Sequence, residues 1–311
     1  MFRSAFPYVL VILLALAVPG TSAAAATNPW AALGTPAPGA GDCGVQGTSS
    51  IRASGVYDVL RVGSDLYISG CFTNWAGIPE ADYIAKWDGT AWSALGSNGG
   101  GDGAVSKVIY DMVSYNGGIA IGGEFENVAG IANADMVATW DGSTWAALPN
   151  GAESPQYMSG RDYASALFAD GTTLYIGGHF PSGIGYAAPV ANTTNVAKWT
   201  GAAWAAAGTS DPFAGSVYGS QMIPQAWVKQ GTSLYLGSAY YGWGSCGNAC
   251  LDGHGDLALK KLATDGTWSL PGNWASSATT STLGSAWGVG IFALAVSLSL
   301  IHISEPTRPL Y

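Results

Sequence analysis

The chain has 311 residues, 20 of them acidic and 11 basic, which leaves a net charge of −9 and a pI near 4.5. No basic cluster offsets this, so a polyanion such as DNA is repelled on average and nucleic acid is not an expected partner. Only 10% of the residues are charged, while Gly reaches 45 and Trp 13, a balance that suits short, tightly turned strands stacked through aromatic layers.

The first residues form a targeting pattern. Arg3 supplies a positive start, Val9 to Val18 is a short apolar core, and Thr21 to Ala26 offers small-residue cleavage sites. Residues 1–26 are therefore expected to be a secretory signal peptide, too short in its apolar run to be a membrane anchor. Trp30-Ala31-Ala32-Leu33-Gly34 then carries W-x-x-L-G, which below recurs as the last strand of a repeat. An isolated last strand at 29–34 is expected to complete the final unit of a closed ring, which would protect open sheet edges. Residues 35–54 form a Gly/Pro/Ser-rich loop with Cys43.

The body of the chain is a repeat. YIAKWDGTAWSALG (Tyr83 to Gly96) reads as a β-hairpin with Asp88-Gly89 at its turn. It returns as MVATWDGSTWAALP (Met136 to Pro149) and NVAKWTGAAWAAAG (Asn195 to Gly208), and more weakly as LALKKLATDGTWSLPG (Leu257 to Gly272). A second segment precedes each hairpin: VYDVLRVGSDLYISGCF, VIYDMVSYNGGIAIGGEF, SALFADGTTLYIGGHF and PQAWVKQGTSLYLGSAY. Each contains two strands and ends in Gly-Gly-x-Phe or a relative. The second tryptophan recurs at 92, 145, 204 and 268, so the repeat lengths are 53, 59 and 64 residues. Four short strands per unit is the pattern of a β-propeller blade, with loop insertions lengthening the period. The expected fold is all-β, with blades at about 55–96, 105–148, 163–208 and 222–271, and VGIFALAV (Val289 to Val296) starting a further blade at 288–296.

These repeats resemble kelch-like blades. They are most similar to the Y-I-G-G-x-F … W-D-G-x-x-W-x-x-L-G repeats of large extracellular bacterial propeller proteins, over roughly residues 28 to 296. The resemblance implies a propeller and leaves the activity open. Beyond it, LSLIHISEPTR (Leu298 to Arg308) resembles a translated sequencing adapter, so residues 298–311 are expected to be a library artefact on a truncated chain. The competing expectation is a membrane anchor over Trp287 to Ile303, which falls just short of a span and holds His302. No stable span is expected once the signal peptide is removed.

Four cysteines, Cys43, Cys71, Cys246 and Cys250, suit disulfides in a secreted chain. Cys246–Cys250 would close a small loop and Cys43–Cys71 would tie the N-terminal loop to the first blade; other pairings stay open. Cys246, Cys250, Asp252 and His254 could instead suggest zinc. Gly247, Gly253 and Gly255 argue against the helix that would align them, and no metal or other cofactor is expected.

Little in the sequence carries chemistry. His179 takes a place held by Cys71, Glu124 and Ala239 in the other repeats, which suits a structural or loop-facing role. Glu124 and Glu126 lie two residues apart on one strand, an arrangement of solvated carboxylates rather than a glycosidase pair. The repeated tryptophans fit blade packing better than sugar platforms. The non-repeating aromatics Trp75, Tyr157, Tyr186, Tyr241 and Trp243 are the ligand-binding candidates, and Asn192-Thr193-Thr194 is a glycosylation sequon. The expected function is a secreted or cell-surface module binding extracellular carbohydrate or protein, with no catalytic residue assigned. The alternative is a propeller-platform enzyme, such as a galactose-oxidase-like copper oxidase or a glycan-active enzyme.

Overall fold

Each repeat folds into one four-stranded antiparallel sheet. The computed structural model describes residues 55–148, 162–184, 190–213, 222–240 and 259–270, all within one compact unit, residues 36–311. The first sheet holds β1 (Gly55–Val62), β2 (Asp65–Cys71), β3 (Ile84–Trp87) and β4 (Trp92–Ser93). The second holds β5 (Ile109–Tyr115), β6 (Gly118–Gly123), β7 (Val137–Trp140) and β8 (Trp145–Ala147). The third holds β9 (Tyr163–Asp170), β10 (Thr173–His179), β11 (Val196–Trp199) and β12 (Trp204–Ala206). The fourth holds β13 (Met222–Gln230), β14 (Ser233–Tyr240), β15 (Leu259–Leu262) and β16 (Trp268–Ser269). In all four, strand order in space follows strand order in the chain.

The core lies between sheets. Tyr67, Ile84 and Leu95 of the first pack with Met112, Ile121 and Trp145 of the second. Tyr115 and Ala120 of the second meet Leu167, Leu174 and Trp199 of the third, and Ala166 and Val196 of the third meet Trp227 and Leu236 of the fourth. The first strands touch in succession, β5 on β1, β9 on β5 and β13 on β9. Successive meander sheets that bury their faces against one another through their innermost strands are propeller blades. The signal-peptide, N-terminal-strand, further-blade and adapter segments all lie outside the described residues. Among the described residues no helix is long and apolar enough to cross a membrane.

One irregularity repeats in every blade. The register of the inner strand slips once against its partner, between Val56 and Asp58, Ile109 and Asp111, and Pro224 and Ala226, and opposite Gly177 and Gly178 in the third blade. The bulged residues are thus Tyr57, Tyr110, Gln225 and Ser165. A bulge kinks its strand and pushes backbone toward the neighbour. Here the neighbour is Gly122-Gly123 in the second blade and Gly177-Gly178 in the third, Ser69-Gly70 in the first and Gly237-Ser238 in the fourth. A Cβ on Gly70, Gly123 or Gly178 would sit 2.2, 2.2 or 2.0 Å from the carbonyl oxygen of Gly55, Val108 or Tyr163. The preceding glycine faces the next blade instead: a Cβ on Gly177 would lie 2.3 Å from Pro224 Cβ. The motif is therefore a double clearance, one glycine for its own sheet and one for the adjoining blade.

The tryptophans pair across the outer hairpin in the first three blades, and in the fourth Trp268 faces Leu262. Trp87–Trp92, Trp140–Trp145 and Trp199–Trp204 have ring centroids 5.5, 5.2 and 5.5 Å apart. The second indole also reaches the blade before it, since Trp145 Nε1 donates to the Leu95 carbonyl. A Cβ on Gly208 would stand 2.4 Å from Trp268 Nε1, so the glycine of W-x-x-x-G clears the next blade's tryptophan.

The outer turn differs from a two-residue Asp-Gly hairpin. Trp87 pairs with Trp92, so the connection is the four residues 88–91. Asp88 Oδ1 accepts the Thr90 and Ala91 N–H groups, each at 2.8 Å, and the Thr90 hydroxyl at 2.7 Å. Asp141 does the same for Ser143 and Thr144. These bonds hold the Asp88 carboxyl down at about 2 and also lower Asp141 and Asp265. The aspartate recurs because its carboxylate closes the turn, with Gly89 at φ 101° as the permissive residue.

The clearance argument is testable by substitution. Gly178→Ala forces a methyl into the Tyr163 carbonyl and is expected to cost about 1–3 kcal/mol or more, a drop of several degrees in Tm. Gly55→Ala, where no heavy atom lies within 4 Å of the new Cβ, should leave Tm nearly unchanged. Thermal melts of both variants by circular dichroism check the pair.

Candidate functional site

The two ends of the blades are unlike. The inner strand and its partner are joined by two-residue turns such as 63–64 and 171–172. At the opposite end inner strands begin and second strands finish, with Gly55 beside Cys71, Ile109 beside Gly123 and Tyr163 beside His179. The connections leaving that end are long, 72–83, 124–136 and 180–195. Long loops on a rigid sheet frame are where binding groups collect.

These loops are anchored from inside. Asp82 accepts the Asn74 N–H at 2.7 Å and the Gly103 N–H at 3.1 Å, so one carboxylate ties the loop to the inter-blade linker. Asp135 accepts the Asn127 N–H at 2.5 Å. In the third blade Asn195 accepts from Phe180 N–H at 2.9 Å and donates to the Met222 carbonyl at 3.1 Å. The residue entering the third strand, Tyr83, Met136 or Asn195, has φ between 55° and 61° each time.

A row of rings crosses three blades at this end. Tyr57 and Tyr110, the two bulged tyrosines, are parallel to within 4°, with centroids 6.3 Å apart. Tyr163 follows at 5.3 Å from Tyr110, inclined by 56°, and His179 lies 5.9 Å beyond. Tyr57 keeps 39% of its surface exposed. Carboxylates accompany the rings. The Tyr110 hydroxyl donates to Glu124 Oε1 at 2.5 Å, and His179 Nδ1 lies 3.5 Å from Asp162 Oδ1. Glu126 is engaged separately, 2.8 Å from Lys107 Nζ.

Beside the tyrosines, two aspartates tie adjacent blades together. Asp58 Oδ2 accepts the Met112 N–H of the second blade at 2.8 Å, and Asp111 Oδ2 accepts the Leu167 N–H of the third at 2.6 Å. The third blade has Ala166 at this place; there the Ser165 hydroxyl donates to the Pro224 carbonyl at 2.6 Å. Burial, and next the Asp58 carboxyl, push Asp111 up to about 7. Burial also raises Asp58, against two backbone N–H bonds that pull it down. The sequence signal for both was present: Tyr-Asp stands at the same offset in VYDVL and IYDMV.

Of the ligand-binding residues expected from sequence, Trp75 is described. It packs between Phe72 at 5.0 Å and Trp92 at 5.4 Å, on the first blade rather than in the tyrosine row. Tyr157, Tyr186, Tyr241 and Trp243 lie outside the described residues. Cys71 is fully buried and disulfide-bonded. Its partner, with Cys43, Cys246 and Cys250, lies outside them too. Among the described residues no group of three His, Cys, Asp or Glu side chains is placed to hold a metal ion.

The raised aspartate sets a pH dependence. The folded chain holds the Asp111 proton up to about pH 7, whereas an unfolded aspartate releases it near 3.8. The folded state therefore binds more protons in that window, and stability falls as pH rises through it. Denaturant unfolding should show wild type losing stability from about pH 4 to about pH 7, with Asp111→Asn flattening that slope while keeping the amide oxygen for Leu167.

No family model matches the chain, and no curated protein matches it. Solved structures do. One is a GH74 enzyme from Niastella koreensis, 17% identical, with 71% of this chain and 31% of that one covered at a TM-score of 0.38. Another is the extracellular domain of a protein named as a hybrid two-component system from B. thetaiotaomicron, 11% identical, covering 72% of this chain and 23% of that one, also at 0.38. The chain spans less than a third of either. The propeller assignment rests on the four blades and their packing.

Proposed function

We propose that the chain is a secreted or cell-surface propeller of the kelch-like extracellular type, and that it binds carbohydrate or protein at the loop end of its blades. The observation that carries this is the ring row Tyr57–Tyr110–Tyr163–His179, which runs across three blades beside carboxylates. Tyrosines supply rigid apolar area with a polar tip, which suits recognition surfaces. The disulfide at Cys71 supports an oxidising compartment, as does the signal-like N-terminus. A Cys43–Cys71 bridge is the pairing we favour.

An enzyme is the competing reading, and Asp111, held at about 7 beside Asp58, is the observation in its favour. Both carboxylates also accept backbone N–H groups from the next blade, which favours a structural role. Glycan and peptide arrays probed with wild type and Tyr57→Ala separate the readings. A ligand retained by wild type and weakened about tenfold or more by Tyr57→Ala, about 1.4 kcal/mol, supports the module. Stoichiometric copper in the purified protein, or turnover of an arrayed glycan, would transfer the chain to the enzyme class.

A further inference from the structure

Charge divides the two ends of the blades. Among the described residues, the loop end carries Glu124, Glu126 and Asp162 beside the ring row, and Glu80, Asp82, Asp102 and Asp135 along its connections, with Lys107 as the basic side chain there. At the short-turn end the charges are mixed: Lys86 pairs with Asp65 and Lys229 with Asp170, and Arg61 stands near the close of β1. The negative field of this end favours cationic donors. Tyrosine faces attract the same groups through their ring quadrupole. Val56, 40% exposed beside Tyr57, extends the ring row with apolar surface on which an aliphatic stem can lie.

Resting on the binding-module reading above, we infer that this tyrosine-and-carboxylate band docks a lysine- or arginine-rich peptide segment of a partner protein. Charge complementarity selects this occupant over a neutral glycan. The aliphatic stems lie along Val56 and Tyr57, and the cationic heads meet the ring faces and the Glu124 and Asp162 carboxylates. The wider charge of −9 adds long-range attraction, screened by salt.

The test uses the full chain and a fluorescent oligolysine peptide read by anisotropy. Its lysine-acetylated form has the same length without the charge, and a chito-oligosaccharide serves as the amino-sugar arm. Oligolysine is expected to bind about tenfold or more tighter than its acetylated form, and the double variant Glu124→Gln, Asp162→Asn to lose about tenfold. Asp170→Asn, which removes a carboxylate paired with Lys229 at the turn end, should bind as wild type. If the double variant melts below wild type, Tyr57→Ala supplies the same readout from an exposed position. The inference is overturned if oligolysine fails to bind, if acetylation makes no difference, or if Asp170→Asn weakens binding as much as the double variant. Tyr57-dependent binding of the oligosaccharide without oligolysine binding would overturn the basic-peptide partner yet leave the binding module standing.

Discussion

A backbone bulge meeting a side chain of zero size organises this protein. Each inner strand carries one extra residue, and the carbonyl beside it comes within 2.0–2.2 Å of where a Cβ would stand on Gly70, Gly123 or Gly178. In those three blades only glycine admits that approach, while the fourth has Ser238 opposite its bulge. The bulge bends the inner strand where it must pass its neighbour, and the companion glycine lets the neighbour in. The bulge recurs in all four blades, and their inner strands touch in succession. The fully buried Phe125 and Phe180 close the same end of their blades, each burial contributing about 1.5–3 kcal/mol.

The same irregularity creates the polar seam. A residue displaced by the bulge leaves ladder bonds to be satisfied elsewhere, and buried N–H groups demand partners. Asp58 and Asp111 meet the demand across the blade boundary, each taking a backbone N–H from the next inner strand. Their tyrosine neighbours at 57 and 110 share the bulge. The Tyr57–Tyr110 pair and the two aspartate ties thus stand side by side at the bulges of the first two blades. Burying a carboxylate near another has a cost, visible in Asp111 at about 7, and the seam is tightest where that proton is kept.

Hydrophobic burial alone does not choose a propeller. A four-stranded meander of this size has two faces to cover and cannot cover them itself. Between blades, Trp145 on Leu95 and Trp268 against Gly208 show how the outer hairpin of one repeat is shaped by the next. The tryptophans therefore serve twice, as a cross-strand pair within the sheet and as a contact between sheets.

By itself the sequence determined the repeat, the four-strand unit, the all-β class and the packing role of the tryptophans. These depend on local periodicity and turn chemistry, which a linear pattern records directly. The turn was legible as Asp-Gly, but not its four-residue length, because side-chain bonds from Asp88 decide that in three dimensions. The candidate site was largely hidden. Trp75 stood out in the sequence because it does not repeat, and it packs against Phe72 and Trp92 on the first blade. Tyr57, Tyr110 and Tyr163 come together only in the tertiary structure, from residues 53 positions apart in each step, because blade stacking, not chain proximity, sets which side chains meet.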